Sequence, residues 1–412
     1  MQTGWRVGSL LGIPLYIDPS WFFIVALVTF VNAGAIQQQE IYASWGPLLP
    51  WLVGLAMALL LFGSVLLHEL GHSIVARSQG IQVNSITLFL FGGVAAIAHE
   101  SKTPGKAFQV AIAGPMVSFG LFGLMFLLIG VLPSQSPVQV LATDLARINL
   151  ILGMFNLIPG LPLDGGQILK AAVWKLTGDR FQGVHWAAKA GLILGWTAVS
   201  LGLLLVFSLN NFAGIWMVML GWFGIRNANT YERLTNLQES LVQLHAEDAM
   251  TRDFRVIDAT LTLRQFADDY LLETAHAAVY FAASDGRYRG LVAMEDLRPV
   301  DRSQWPHQTL LDIARPLTEI PSVQEKTLLL DVIMQLETEK LQHLTTLTPA
   351  GAVAGVIDRG DIVRAVAKKL KLAISESEIK RIKEEGRYPL ALPLQSIAQA
   401  TADAIASESQ SG

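Results

Sequence analysis

The chain has no cysteine among its 412 residues. That excludes disulfides, thiol catalysis and every thiolate metal site, so any bound metal has to be held by His, Asp or Glu. Charge is scarce as well. Asp, Glu, Lys and Arg make up 16% of the residues, against roughly 25% in soluble domains. Hydrophobic residues make up 52%, and mean hydropathy is +0.42. The composition is that of a membrane protein or of a membrane–soluble hybrid. A net charge of −4 gives no basis for nucleic acid binding. The first eighteen residues hold Gly, Pro and one Arg but no apolar run. No cleaved signal is expected, and the first apolar stretch is kept as an anchor.

What charge there is lies mostly after residue 230. The expected organisation is a transmembrane domain over 1–230, two repeats over 245–305 and 306–371, and a charged helical tail with a mobile end over 372–412. About six spans are expected, over 20–36, 51–75, 107–132, 141–161, 190–209 and 212–229. The loops 37–50, 133–140 and 209–212 contain no Lys or Arg, whereas the alternate loops do. That parity places both termini in the cytoplasm, with Arg147 the one discordant charge. The expected location is the cell membrane of a prokaryote.

Two segments break the helical pattern. Residues 81–98, "IQVNSITLFLFGGVAAIA", have strand-like content and are too short to span, which points to a re-entrant β-like hairpin. Residues 156–167, "NLIPGLPLDGGQ", interrupt the fourth span with two prolines and three glycines. Backbone groups freed in this way need a protein-lined or wet setting.

Within the second span stands "HELGH" at 68–72. Ionisable groups at membrane depth are expensive and so need a reason. On a helix, His68 and His72 share one face, a spacing that suits a tetrahedral metal. Glu69 beside them is placed to take a proton from water. A catalytic zinc needs a third protein ligand, and Asp164 in the broken segment is the best candidate. The competing reading makes Asp164 a helix cap for 165–176. Gly114–Pro115 reads as a kink or a close-packing point, and the other six histidines as ordinary surface or packing residues.

"HELGH" together with "NLIPGLPLDGG" closely resembles the site-2 protease family of intramembrane zinc metalloproteases, as do "GIPLYIDPSW", "FGGVA" and "AGP". The resemblance runs from residue 4 to about 370. It implies one zinc per chain held by His68, His72 and Asp164, with Glu69 as catalytic acid/base. It further implies that Asn156 helps hold the substrate backbone and that Gly92 and Gly93 belong to a substrate-positioning re-entrant loop. The substrate would be a transmembrane segment of another protein in the bilayer. A membrane metal or ion transporter is the rival reading; a transit site has no need of Glu69 in HExxH spacing.

The soluble half repeats itself. "DAM" at 248–250 is echoed by "DIA" at 312–314, and "GLVAMEDL" at 290–297 by "GVIDRGDI" at 355–362. The units read as strand, helix, strand, strand, helix, and two such repeats bury faces against one another. They resemble a CBS pair, which implies an α/β fold and an adenine nucleotide site using Asp296 and Asp361. The positions three residues earlier, where that family often carries Ser or Thr, hold Ala293 and Asp358. Nucleotide binding and a structural or homodimerising role therefore both stay open. The expected fold class is a polytopic α-helical membrane protein followed by this soluble tandem α/β pair.

Overall fold

A computed structural model describes residues 4–90, 92–252, 254–271, 279–389 and 392–409. Phe91 of the "FGGVA" loop, His276 and the expected mobile end at 410–412 lie outside them. The chain divides into two compact units, residues 1–235 with 404–412, and residues 236–403.

The first unit opens with two strands, β1 (Trp5–Leu10) and β2 (Ile13–Ile17), joined through Leu11 and Gly12 at φ 52 and 78. Two central residues of positive φ make the tight turn that suits the twist of a hairpin. Helix α1 (Ser20–Gln37) follows Asp18, whose carboxylate accepts from the Ser20 amide at 2.9 Å and hydroxyl at 2.6 Å. Helix α2 (Leu49–Ser78) then runs unbroken for 30 residues. The strand-like segment is a hairpin, β3 (Val83–Phe89) and β4 (Gly92–Ile97). Strand β3 also pairs in parallel with β2, giving a four-stranded sheet of order β1-β2-β3-β4. Ile86 and Leu88 bury this sheet against Phe62, Val65 and Leu70 of α2.

Helix α3 (Pro104–Ile129) is capped by Thr103 and α4 (Pro137–Asn156) by Ser136, each with proline at the first helical position. A side-chain acceptor followed by proline's preset φ is a strong helix start. The short amphipathic α5 (Asp164–Thr177) ends at Gly178, φ 74, and Asp179 caps α6 (Arg180–Leu209). Helix α7 runs from Ala213 to Gln243.

Among the described residues, five helices are long and apolar enough to cross a membrane: α1, α2, α3, α4 and α6. The expected sixth span, 212–229, falls on the first half of α7, whose apolar run stops at Arg226. Its contact with α6 is nonetheless tight. A Cβ at Gly202 would lie 2.7 Å from the Gly214 carbonyl oxygen, and one at Gly221 2.7 Å from that of Gly195. Glycines seven residues apart on each helix let the two backbones touch, as small residues do where no hydrophobic force drives helices together.

In the second unit, α8 (Ala246–Ala249), β5 (Phe254–Asp258), α9 (Leu263–Phe266), β6 (Val279–Ser284), β7 (Arg287–Val292) and α10 (Met294–Leu297) form one repeat. The other is α11 (Leu310–Ile313), β8 (Ser322–Gln324), α12 (Leu329–Thr338), β9 (His343–Leu347), β10 (Val353–Asp358) and α13 (Arg359–Lys369). Each sheet has the same pattern, a parallel pair followed by an antiparallel one. The repeats exchange edges: Thr251 bridges to Val356 of β10, and Arg315 to Leu291 of β7. Gly355 and Gly290, at matching places in the two echoes, sit where these crossings leave no room for a Cβ. Phe281, Leu291, Ile320, Val353 and Val356 form a core shared by both repeats. The charged stretch after Leu372 is α14 (Glu376–Glu385), and the Ala/Ser/Gln run is also helical, α15 (Leu394–Ser409).

Overpacking a close helix contact costs about 1–3 kcal/mol. Gly202→Val should therefore lower the thermal midpoint of the purified protein in detergent. Gly224→Ala, on the same hairpin with nothing within 4 Å of the added methyl, should not. Equal midpoints for the two variants would remove the glycine contact from the account of the fold.

Candidate metal centre

The centre starts from the geometry of α2. Four-residue spacing stacks His68 and His72 on one face, with ring centroids 5.0 Å apart, and both side chains are buried. Helix α3 closes over that face at Gly114. A Cβ there would lie 2.2 Å from His72 Nε2 and 2.6 Å from His68 Nε2. Glycine is the one residue that admits both rings beneath α3. The helix also orients them. His72 Nδ1 donates to the Val110 carbonyl at 2.7 Å, and His68 Nδ1 lies 2.9 Å from Ser118 Oγ. A carbonyl only accepts, so His72 carries its proton on Nδ1 when neutral and turns the Nε2 lone pair inward.

Asp164 arrives from the broken segment. Residues 157–163 turn back tightly on the start of α5, where a Cβ on Gly165 would meet the Leu157 carbonyl at 2.3 Å and one on Gly166 the Gly160 backbone at 2.4 Å. The Leu161 amide donates to the Ala187 carbonyl of α6 at 3.1 Å, and Gly191 leaves room for the Leu161 carbonyl. These contacts set the first residue of α5. The N-cap is Leu163 and makes no side-chain bond, so Asp164 does not act as the helix cap. Its Oδ2 lies instead 3.0 Å from His68 Nε2 and 3.3 Å from His72 Nε2. The three ligand atoms lie within 4.8 Å of one another.

Asn156, the last residue of α4, brings Nδ2 to 3.5 Å from His68 Nε2 and so borders the same space. Glu69 faces β4: a Cβ on Gly93 would lie 2.7 Å from Glu69 Cγ and 3.1 Å from Val65. Gly93 thus lets a strand backbone approach the carboxylate, and Gly92 precedes it at φ 135. Among the described residues, strand β4 pairs with β3 on one side and with no strand on the other, and the Ala95 amide donates to the Glu69 carboxylate.

Sequence reasoning missed Ser118, Val110 and the steric role of Gly114 at this centre. "AGP" was the available signal, and it was read as packing. Asp296 and Asp361 lie in the other unit and are engaged by their own chain. Asp296 accepts from the Ala293 amide at 2.8 Å and from Arg315 Nε at 3.2 Å. Asp361 is paired with Arg364 and Lys383.

Comparison with known proteins bears on this centre. The model of peptidase family M50 matches residues 56–147 and 133–198. A Synechocystis sp. protein described as a zinc metalloprotease, sll0528, is 40% identical over 368 residues, 89% of this chain and 96% of that protein. The solved site-2 protease from Methanocaldococcus jannaschii is 30% identical, covers 56% of this chain and 95% of its own, and has a TM-score of 0.41. The C-terminal region has among its structural neighbours the CBS domain of a bacterial CNNM/CorC family Mg2+ transporter. That domain is 17% identical, covers 35% of this chain and 86% of its own, and has a TM-score of 0.28. Identity of 40% across nearly the whole of both chains shows the family, and with it the chemistry: this multi-pass membrane protein belongs to peptidase family M50, the site-2 proteases, and is a zinc metalloendopeptidase.

Proposed function

We propose that the protein is an intramembrane endopeptidase, cutting a transmembrane segment of another membrane protein, with His68, His72 and Asp164 as the ligands of one zinc ion. The observation that carries this reading is the convergence of two imidazole nitrogens and a carboxylate oxygen within 4.8 Å, with both imidazoles on α2, a helix long and apolar enough to cross a membrane. The donor set suits zinc, which takes three protein ligands and keeps a fourth position open in catalytic sites. Bound zinc supplies Lewis acidity, polarising the scissile carbonyl and making water a stronger acid.

The chain's own groups do the rest. Glu69 accepts the proton of the attacking water and returns it to the leaving amine. It adjoins His68 in sequence but is not among the ligand atoms, which leaves its carboxylate for proton transfer. A substrate helix has to unwind, because its carbonyls are otherwise occupied by intrahelical bonds. The edge of β4, which pairs with no second strand among the described residues and passes Glu69 at Gly93, offers backbone hydrogen bonds to an extended segment. This supports a positioning role for Gly92 and Gly93, and the Asn156 amide beside His68 supports a hold on the substrate backbone.

The division of labour follows the same reading. Residues 1–230 are the protease domain, 245–305 and 306–371 the two CBS repeats, and 372–412 the tail. Both termini face the cytoplasm of a prokaryotic cell, as the Lys/Arg parity of the loops favours. The repeat pair regulates the protease, taking an adenine nucleotide at Asp296 and Asp361 or joining two copies of the chain.

Glu69→Gln should keep the metal and lose cleavage of a model transmembrane substrate by about 100-fold or more. Near-native cleavage by the purified variant would remove Glu69 from the mechanism. Gly114→Ala pushes a methyl between the imidazoles. It should weaken zinc binding by about tenfold or more, as loss of ligand-orienting contacts does. Competition against a chelator of known affinity measures this, and unchanged affinity would show that Nε2 of neither histidine faces the metal.

A further inference from the structure

The two repeats treat equivalent aspartates differently. In the first, Asp296 is matched by Arg315, from the segment that crosses over to bridge Leu291. In the second, the equivalent crossing segment offers Thr251, whose hydroxyl lies 3.3 Å from Asp361. A hydroxyl carries no charge. Asp361 is nevertheless the more deeply buried of the two, with its side chain 1% exposed against 17% for Asp296. A carboxylate that buried needs a cation.

Arg364 of α13 reaches it at 3.1 Å from a side chain 40% exposed, and helix α14 supplies a second, more buried cation. Lys383 Nζ lies 2.8 Å from Asp361 Oδ1 and 3.0 Å from Asp358 Oδ2, bridging both carboxylates. Its aliphatic stem crosses Gly360, where an added Cβ would come within 2.6 Å of Lys383 Cγ. Ile379, Ile382 and Lys383 share one helix face, and both isoleucines are 2% exposed. At the other end of α14, Glu376 pairs with Arg364 at 3.0 Å, and Arg364 also reaches Asp361 at 3.1 Å. Beyond α14, the Tyr388 ring lies 5.9 Å from the guanidinium of Arg359, which itself bonds Glu337. The tail is therefore fastened along α13 by two apolar anchors and by charge at three points.

Burial raises the Asp361 carboxyl to about 6, with Asp358 adding to the rise and Lys383 opposing it. Burial alone would depress the Lys383 ammonium; the hydrogen bond to Asp361 and the charges of both aspartates raise it instead. Each group is thus held in its charged form mainly by the other.

We propose that α14 is an intramolecular latch on the second repeat, in which Lys383 occupies the Asp358–Asp361 carboxylates and keeps any external ligand from them until α14 is displaced. Applied to adenine nucleotide, this rests on the reading of Asp361 given above. Nucleotide then competes with the chain's own lysine, and binding is coupled to release of the tail. The coupling is limited to the difference in affinity between the latched and released states.

Hydrogen exchange on the full-length protein in lipid nanodiscs tests it. Lys383→Gln keeps the stem and removes the charge, and Lys383→Arg keeps both. Amides of residues 376–385 should exchange about tenfold faster in the Gln variant and close to wild type in the Arg variant, with α12 equally protected in all three. Unchanged exchange in Lys383→Gln overturns the latch. So does a loss of protection that extends to α12, which would make Lys383 a part of the general fold. ATP is the second probe. It should bind Lys383→Gln about fivefold or more tightly than wild type, and should speed exchange of 376–385 in wild type. A loosened α14 with no ATP binding in any variant leaves the latch standing and ends the nucleotide reading. Equal ATP binding with α14 undisturbed shows that the latch guards nothing.

Discussion

Two histidine nitrogens from a helix long and apolar enough to cross a membrane and a carboxylate oxygen from the start of α5 are held within 4.8 Å of one another, and the packing around them in the first unit serves to keep them there. Lone pairs so close repel unless a proton or a metal ion lies among them. The protein meets this constraint with backbone fit. Gly114 lets α3 cover the two rings, Val110 and Ser118 fix their orientation, and Gly165, Gly166 and Gly191 fold the broken segment so that α5 starts with its carboxylate at the rings. A single methyl at any of these glycines would meet backbone or imidazole.

On the proposed reading, the same arrangement gives the sheet against α2 a use. Helices close their backbone hydrogen bonds within themselves and leave nothing for a substrate to pair with. A strand edge does leave such groups, and β4 brings its edge past Glu69 because Gly93 has no side chain. Its partner strands anchor it through Ile86 and Leu88, buried against α2. His68, Glu69, His72 and the β4 edge are thus all referred to α2, which limits how far they can drift apart.

Local features were legible in the sequence and nonlocal ones were not. His68 and His72 announce a shared face because helix geometry alone relates residues four apart, and the strand-like 81–98 reads correctly because period and length are local. The pairing of β2 with β3 joins residues some seventy positions apart, and Pro14 hides the strand character of β2. Asp164 is offered as a third ligand by its irregular surroundings and by the family resemblance of its segment, not by any spacing to the histidines. Ser118, fifty residues from its histidine, carried no signal. The expected sixth span, 212–229, runs through Arg226 because the apolar residues of α7 end without a break, and the helix continues as a polar one to Gln243. The two repeats were readable as echoes, but Lys383 was seen only as one charge in a charged stretch. Its partner Asp361 is buried by tertiary packing.

X-ray absorption at the zinc edge of the zinc-loaded protein tests the central claim most directly. One zinc per chain should show a first shell of nitrogen and oxygen at about 2.0–2.2 Å, with outer-shell scattering from two imidazoles. His72→Ala should halve that imidazole signature, and Asp164→Ala should leave it intact while lowering the zinc content. A first shell without imidazole, or an imidazole signature unchanged in His72→Ala, would contradict a metal centre built on α2.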